Sequence, residues 1–261
     1  FIFESSYPLI REGINFKDYI TPKIAMRYSP NKMKNLKNED RRIDINNIFS
    51  LDRIGFSNTV ESGESLTVGA EYKLSGTDEN FPIDFLSLNL ATVFRSKFNE
   101  DIPISSSLGN KSSDVFGQFK FTPNSFFSSG YNFTVDNNMD QIKYHDVSAR
   151  FTVNNFVTTF KYIEESDNIG DENYIQNTTS YRINESSSLL FSTRRNKKID
   201  LTEFYDLIYQ YRNDCLTASI NYNKEFYSDS DIEPTQQLFF SLTIIPLGTY
   251  ESKNLLTNPF K

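Results

Sequence analysis

The chain has 261 residues, a net charge of -7, 38% hydrophobic residues and a mean hydropathy of -0.50. No stretch approaches the ~20 consecutive apolar residues of a membrane-spanning helix, which excludes a helical membrane protein. No basic stripe is available to neutralise phosphates, so nucleic acid is excluded as a partner. Aromatic residues are abundant, with 24 Phe and 15 Tyr but no Trp, and aliphatic residues are scarce for a single core. A chain with one apolar and one wet face can manage on that composition, as transmembrane barrels do.

Period-two alternation recurs along the chain and predicts strands, because successive strand side chains point to opposite faces. Ile20, Ile24, Met26 and Tyr28 share one face, opposite Thr21, Lys23, Ala25 and Arg27. From Leu66 to Leu74 every even position is apolar or aromatic, and the odd ones are polar or glycine. Val147, Ala149, Phe151 and Val153 alternate with Asp146, Ser148, Arg150 and Thr152, and Leu216, Ala218, Ile220 and Tyr222 with Cys215, Thr217, Ser219 and Asn221. The full reading gives about thirteen strands. They lie near residues 2–9, 18–28, 65–75, 83–96, 114–122, 126–136, 141–153, 156–165, 173–183, 187–195, 201–212, 215–227 and 236–246. Most are long enough to cross a bilayer at a tilt, whereas sandwich strands usually run about five or six residues. The expected class is all-β, an antiparallel transmembrane β-barrel.

The links alternate in length from residue 122 onward. Thr122 to Ser125, Asn154-Asn155, Asn184 to Ser186 and Asn213-Asp214 are tight turns rich in Asn, Pro, Ser and Asp. Longer links fall between them. Bacterial barrels keep short turns in the periplasm and long loops outside, so the two longest polar stretches, Ser29 to Glu64 and Lys97 to Asp114, are expected outside. Aromatics near strand ends, such as Phe126, Phe127, Tyr131, Phe133, Phe156, Phe160 and Tyr162, suit interfacial girdles; the core of a soluble sandwich is the alternative. An odd strand count starting at Phe1 without an export signal leads to the expectation that residues 1–261 are the C-terminal part of a larger barrel, with earlier strands lying outside this sequence.

Chemistry-bearing patterns are few. His145 is the single histidine and falls on the apolar side of its strand, which does not make a triad. No Cys/His metal spacing occurs. Glu164-Glu165 and Ser228 to Asp231 read as solvated loops, the second with a weak calcium site as alternative. Arg41-Arg42 and the run Arg194 to Lys198 are short basic clusters. The second reads as a loop tip, with a contact for the phosphates of an outer-leaflet lipid as the sharper alternative. Pro22 within a strand demands a bulge or weak local pairing, and Pro246 ends another. No catalytic residue, cofactor or metal is assigned.

Several segments resemble the family of the lipopolysaccharide-assembly barrel LptD, also called the organic solvent tolerance family. They are Tyr7 to Gly13, Ile20-Thr21-Pro22-Lys23, Tyr28-Ser29-Pro30-Asn31 and, most specifically, Asn46 to Gly55. The similarity continues through Ser113 to Gly117, Asn213-Asp214-Cys215 and Phe239 to Gly248. The resemblance implies transport of lipopolysaccharide into the outer leaflet of a Gram-negative outer membrane, through the lumen and a lateral seam. Gln236, Leu238, Phe240, Leu242 and Ile244 would stand on one side of that seam. The resemblance also implies an N-terminal periplasmic jelly-roll domain outside this sequence, with which Cys215 would form a disulfide; an inert lone thiol is the alternative. Implied partners are lipopolysaccharide, an LptE-type plug lipoprotein, a periplasmic lipopolysaccharide-bridge protein, the barrel-assembly machinery and outer-membrane lipid. A porin-like or receptor barrel for small solutes is the competing reading, ahead of a barrel enzyme or a soluble adhesin.

Overall fold

The computed structural model describes residues 1–77, 81–226, 234–244 and 248–251. Its fifteen strands are β1 Ile2–Ser6, β2 Leu9–Glu12, β3 Phe16–Ser29, β4 Gly63–Gly76, β5 Leu86–Arg95, β6 Val115–Asn124, β7 Phe127–Val135, β8 Ile142–Val153, β9 Phe156–Glu165, β10 Asn173–Arg182, β11 Ser187–Asn196, β12 Leu201–Arg212, β13 Leu216–Glu225, β14 Gln236–Ile244 and β15 Gly248–Glu251. The thirteen expected strands are all present, with two short additions. The expected strand 2–9 stops at Ser6 and the chain pairs again as β2, while β15 follows what was expected to be the last strand.

Two compact units divide the chain, one formed by Phe1–Val147 with Ile163–Glu172, the other by Ser148–Tyr162 with Asn173–Lys261. In the first, β1 and β2 both pair with β3, and β3 to β7 then pair antiparallel in chain order. In the second, β10 to β15 do the same. This neighbour-to-neighbour pairing is the connectivity of an up-and-down barrel wall. The tight turns fall where Asn and Asp recur. Asn154 takes the left-handed conformation between β8 and β9, and the Asn213 carboxamide accepts from the amides of Cys215 and Leu216.

Pro22 explains the break between β1 and β2. Its carbonyl accepts from the Tyr7 amide, and an antiparallel residue directs N–H and C=O to the same neighbour. The missing N–H of Pro22 therefore faces Tyr7-Pro8, where no regular ladder forms. The β3–β4 ladder on its other side runs unbroken from Phe16↔Gly76 to Ser29↔Gly63.

Each unit turns its apolar side chains outward. On β3, Met26 is 59% exposed while the adjacent Ala25 is 1% exposed. Val68, Leu90 and Phe94 continue this exposed face in the first unit, as do Leu207, Ile220 and Phe240 in the second. The buried core lies on the opposite face of β4 to β6, and connections supply most of it. Met33, Leu36, Ile43, Ile48, Ile54, Ile102 and Leu108 pack with Ala91, Val93 and Phe116.

Candidate functional site

The stretches Ser29 to Glu64 and Lys97 to Asp114, which hold the β3–β4 connection (residues 30–62) and the β5–β6 connection (residues 96–114), were expected as polar external loops without structure of their own. Instead they are folded segments packed on the inward face of the strands. The reason lies in their apolar residues, which a reading of them as polar stretches passed over. Ile43, Ile48 and Ile54 are almost wholly buried, and each such side chain contributes about 1.5–3 kcal/mol when removed from water. The two connections also clasp each other. The Leu36 amide donates to Asp101 O at 2.8 Å, the Arg41 amide to Ser105 Oγ at 2.9 Å, and Asn99 Nδ2 to Ser62 Oγ at 2.9 Å. Gly69 of β4 makes room for the first segment, since a Cβ there would stand 2.9 Å from the Phe49 ring and 2.7 Å from Leu90 O.

At the centre of this packing is a buried ionic cluster. Arg53, with no exposed surface, donates from Nε and Nη2 to the two Glu61 oxygens at 2.6 Å each. It also reaches Thr67 Oγ1 and Ser65 Oγ on β4, both at 2.9 Å. Arg95 of β5 donates to Glu61 Oε1 and to Ser62 O. Arg27 of β3 lies 3.9 Å from Glu61 and donates to Ser50 O and Leu51 O at 2.6 and 2.5 Å. Three guanidiniums thus share one carboxylate, and the Nε atoms of Arg27 and Arg95 have no partner among the described residues. Burial alone would raise the Glu61 pKa, but hydrogen bonding to Arg53 and the charges of Arg53, Arg95 and Arg27 outweigh it, leaving the carboxyl below its ordinary range. The cluster ties the first segment to three consecutive strands at once.

Polar groups continue along the inward face. Gln118 donates to Asn132 at 2.8 Å, and Arg42 stacks over the Tyr144 ring at 4.5 Å while pairing with Glu165. In the second unit, Asp206 lies opposite Asn223, with Asn221 two residues along on the same face. Each of the three holds a buried side-chain oxygen without a hydrogen-bond partner among the described residues. Such a surface can accept hydrogen bonds from water or from hydroxyl-rich molecules.

The residues singled out from sequence fall in several places. Cys215 is exposed and free, in the turn before β13. Leu238, Phe240, Leu242 and Ile244 form the outward row of β14 that opposes Tyr222, Ile220, Ala218 and Leu216; Gln236 begins that row opposite Lys224. The C-terminal half of β14 is also paired with β15, Ser241 to Glu251 and Ile244 to Gly248. His145 accepts or donates a 2.9 Å hydrogen bond with Tyr131 Oη, beside Phe133. Glu165 corrects the solvated-loop reading, because its side chain is 4% exposed and paired with Arg42. Arg194 pairs with Glu203, and Arg195 with Asp200 at 2.7 Å, so the second basic cluster is largely engaged with its own hairpin. Ser228 to Asp231 and Pro246 lie outside the described residues. Glu61 and Arg95 were missed by sequence reasoning. Apolar residues spaced through a loop, Ile43 to Phe56, were the available signal that it folds inward.

A family model described as "LPS transport system D" matches residues 1–201. "Porin-like protein L" of Photobacterium profundum is 28% identical over 124 residues, covering 42% of this chain and 36% of that protein. The chain thus matches well under half the length of that curated relative.

Proposed function

The chain belongs to the LPS transport system D family, and from that premise we propose that it is part of an outer-membrane translocon that delivers lipopolysaccharide to the outer leaflet. The observation that carries the reading is the reversal of faces, with apolar side chains such as Met26, Phe94 and Ile220 exposed and Arg27, Thr67 and Asp206 turned inward. Exposed apolar rows suit hydrocarbon, and a polar interior suits the saccharide of an amphipathic lipid. Every backbone group in a bilayer must be paired, so release requires a locally weak strand pair. The outward row of β14, Gln236 to Ile244, borders that pair. The long-connection rim faces the cell exterior. Cys215 joins the N-terminal region through a disulfide, and an LptE-type lipoprotein, a periplasmic bridge protein and the barrel-assembly machinery serve the complex. Residues 1–261 are the C-terminal part of its barrel domain. Transport of this kind asks for no covalent chemistry from the protein.

The test is depletion of the full-length protein and re-expression, with surface lipopolysaccharide measured by antibody labelling of intact cells. Restoration by the wild-type gene supports the reading, and normal surface lipopolysaccharide after depletion refutes it. For Cys215, unchanged mobility on a non-reducing gel removes the disulfide. A second reading, solute passage, is favoured by the porin-like relative; proteoliposome swelling with small sugars at porin-like rates would support it instead.

A further inference from the structure

Two cavities meet at the rim where β3, β4 and β5 enter their long connections. The first is an apolar groove of about 530 Å³ floored by Phe3, Met26, Leu66 and Phe94, side chains of the outward face. The second, about 400 Å³, carries Lys32, Lys97 and Arg95. Tyr28, Glu64, Arg95 and Ser96 line both, so the two are contiguous. Lys32 and Lys97 are exposed and have no ion-pair partner among the described residues. Arg95, whose side chain is 2% exposed, is committed to Glu61 and Ser62 O, and its Nε has no partner among the described residues. Glu64 is the one carboxylate lining the second cavity among the described residues, set against the two exposed lysines.

Hydrocarbon-lined space joined to cationic space at a membrane rim is complementary to one class of molecule, a lipid with a negatively charged headgroup. Ordinary outward-facing surface offers only the first half of that match. Lysine ammonium groups act as point-charge phosphate binders, and the two lysines approach from different connections, before β4 and after β5, so a bound phosphate would bridge them. Resting on the outward orientation of this rim proposed above, we infer that the groove and cleft hold a phosphorylated glycolipid of the lipid A type as a bound wall lipid, with an acyl chain over Met26, Leu66 and Phe94 and a phosphate between Lys32 and Lys97. It is a site on the barrel wall, separate from β14.

The experiment uses the full-length protein in detergent and native mass spectrometry. Hexa-acylated bisphosphoryl lipid A is the probe, beside its dephosphorylated form, phosphatidylglycerol and inorganic phosphate. The wild type is expected to retain lipid A, and K32E/K97E to lower that retention at least tenfold. K111E/K120E, with the same charge change at two exposed lysines that line neither cavity, is expected to bind as the wild type does. Equal binding by K32E/K97E overturns the site. Equal retention of dephosphorylated lipid A or of phosphatidylglycerol overturns the phosphoglycolipid, and displacement by millimolar inorganic phosphate alone overturns the role of the groove. Surface lipopolysaccharide in cells is measured separately, so the transport reading can fail without this one, and this one without it.

Discussion

Replacing Glu61 by glutamine should release the β3–β4 connection from the inward face while leaving the strands assembled. The side chain keeps its shape but loses the charge on which Arg53, Arg95 and Arg27 converge. Removing one partner of a buried ion pair costs about 3–5 kcal/mol, because the remaining charge is left uncompensated. Here three guanidiniums would be left, two of them already with an Nε that has no partner among the described residues, so the upper half of that range is expected. At about 1.4 kcal/mol per factor of ten, local opening should rise by roughly three orders of magnitude. Hydrogen exchange reads this directly at the amides of Ile48 and Ser50, which donate to Asp44 O and Asn47 O within the segment. Exchange in β10 to β13 should stay unchanged. The double variant R53M/E61L, which replaces a buried pair by apolar groups, should recover only part of the protection, because Arg27 and Arg95 remain without the carboxylate. The reasoning is refuted if E61Q exchanges within about threefold of the wild type, the range of an ordinary surface substitution.

Acid should have the same effect as E61Q. The folded Glu61 pKa lies below its ordinary 4.5, so its contribution is fully present above that value and is lost as pH falls through the lowered one. Nicking of the connection by an acid-tolerant protease should begin below pH 4.5 in the wild type and be independent of pH in E61Q. Gly69→Val should displace Phe49, whose ring already stands 2.9 Å from the added carbon, at a cost of about 1–3 kcal/mol, seen as faster nicking of the same segment. Neighbouring residues should separate the two faces of β13. I220R puts a charge on the exposed apolar row at about 2–4 kcal/mol near mid-membrane, and S219R puts it on the wet side at little cost. Heat-modifiable mobility of the folded barrel on gels should fall for I220R alone; equal behaviour of the two would argue against a membrane wall.

The strands were legible because their signal is local. Alternation from Leu66 to Leu74 states which side chains share a face, and one face meeting each solvent is all the structure adds there. The break at Tyr7-Pro8 was half legible, since Pro22 announced a lost hydrogen bond but not the neighbour that loses it. That depends on which way the residue points in the ladder, fixed by pairing with β4. The β3–β4 connection was illegible for a different reason. Its apolar residues follow neither a helical nor a strand period, so they give no periodic signal, and their partners Ala91, Val93 and Phe116 are more than thirty residues away. Glu61 stands beside polar and glycine residues that suggest a turn. Only the three-dimensional meeting of Arg27, Arg53 and Arg95 reveals its role.

The exchange of faces also explains why the core sits where it does. An outward face spent on hydrocarbon leaves few strand side chains to hold anything inside, and those available on β4 are Ser65, Thr67 and Gly69, small or polar. A connection that is to stay on such a surface cannot rely on strand hydrophobes. It must bring its own, as Ile48 and Ile54 do, and it must anchor to polar wall groups, as Arg53 does through Thr67 and Ser65. The cost of burying that arginine is met by Glu61 from the same connection and shared with Arg95 and Arg27 from the wall. Attachment by charge, unlike attachment by apolar area, depends on one group remaining ionised. Protonation of Glu61 is therefore expected to loosen the inward segment, which its apolar residues still hold in part, without loss of any strand pairing.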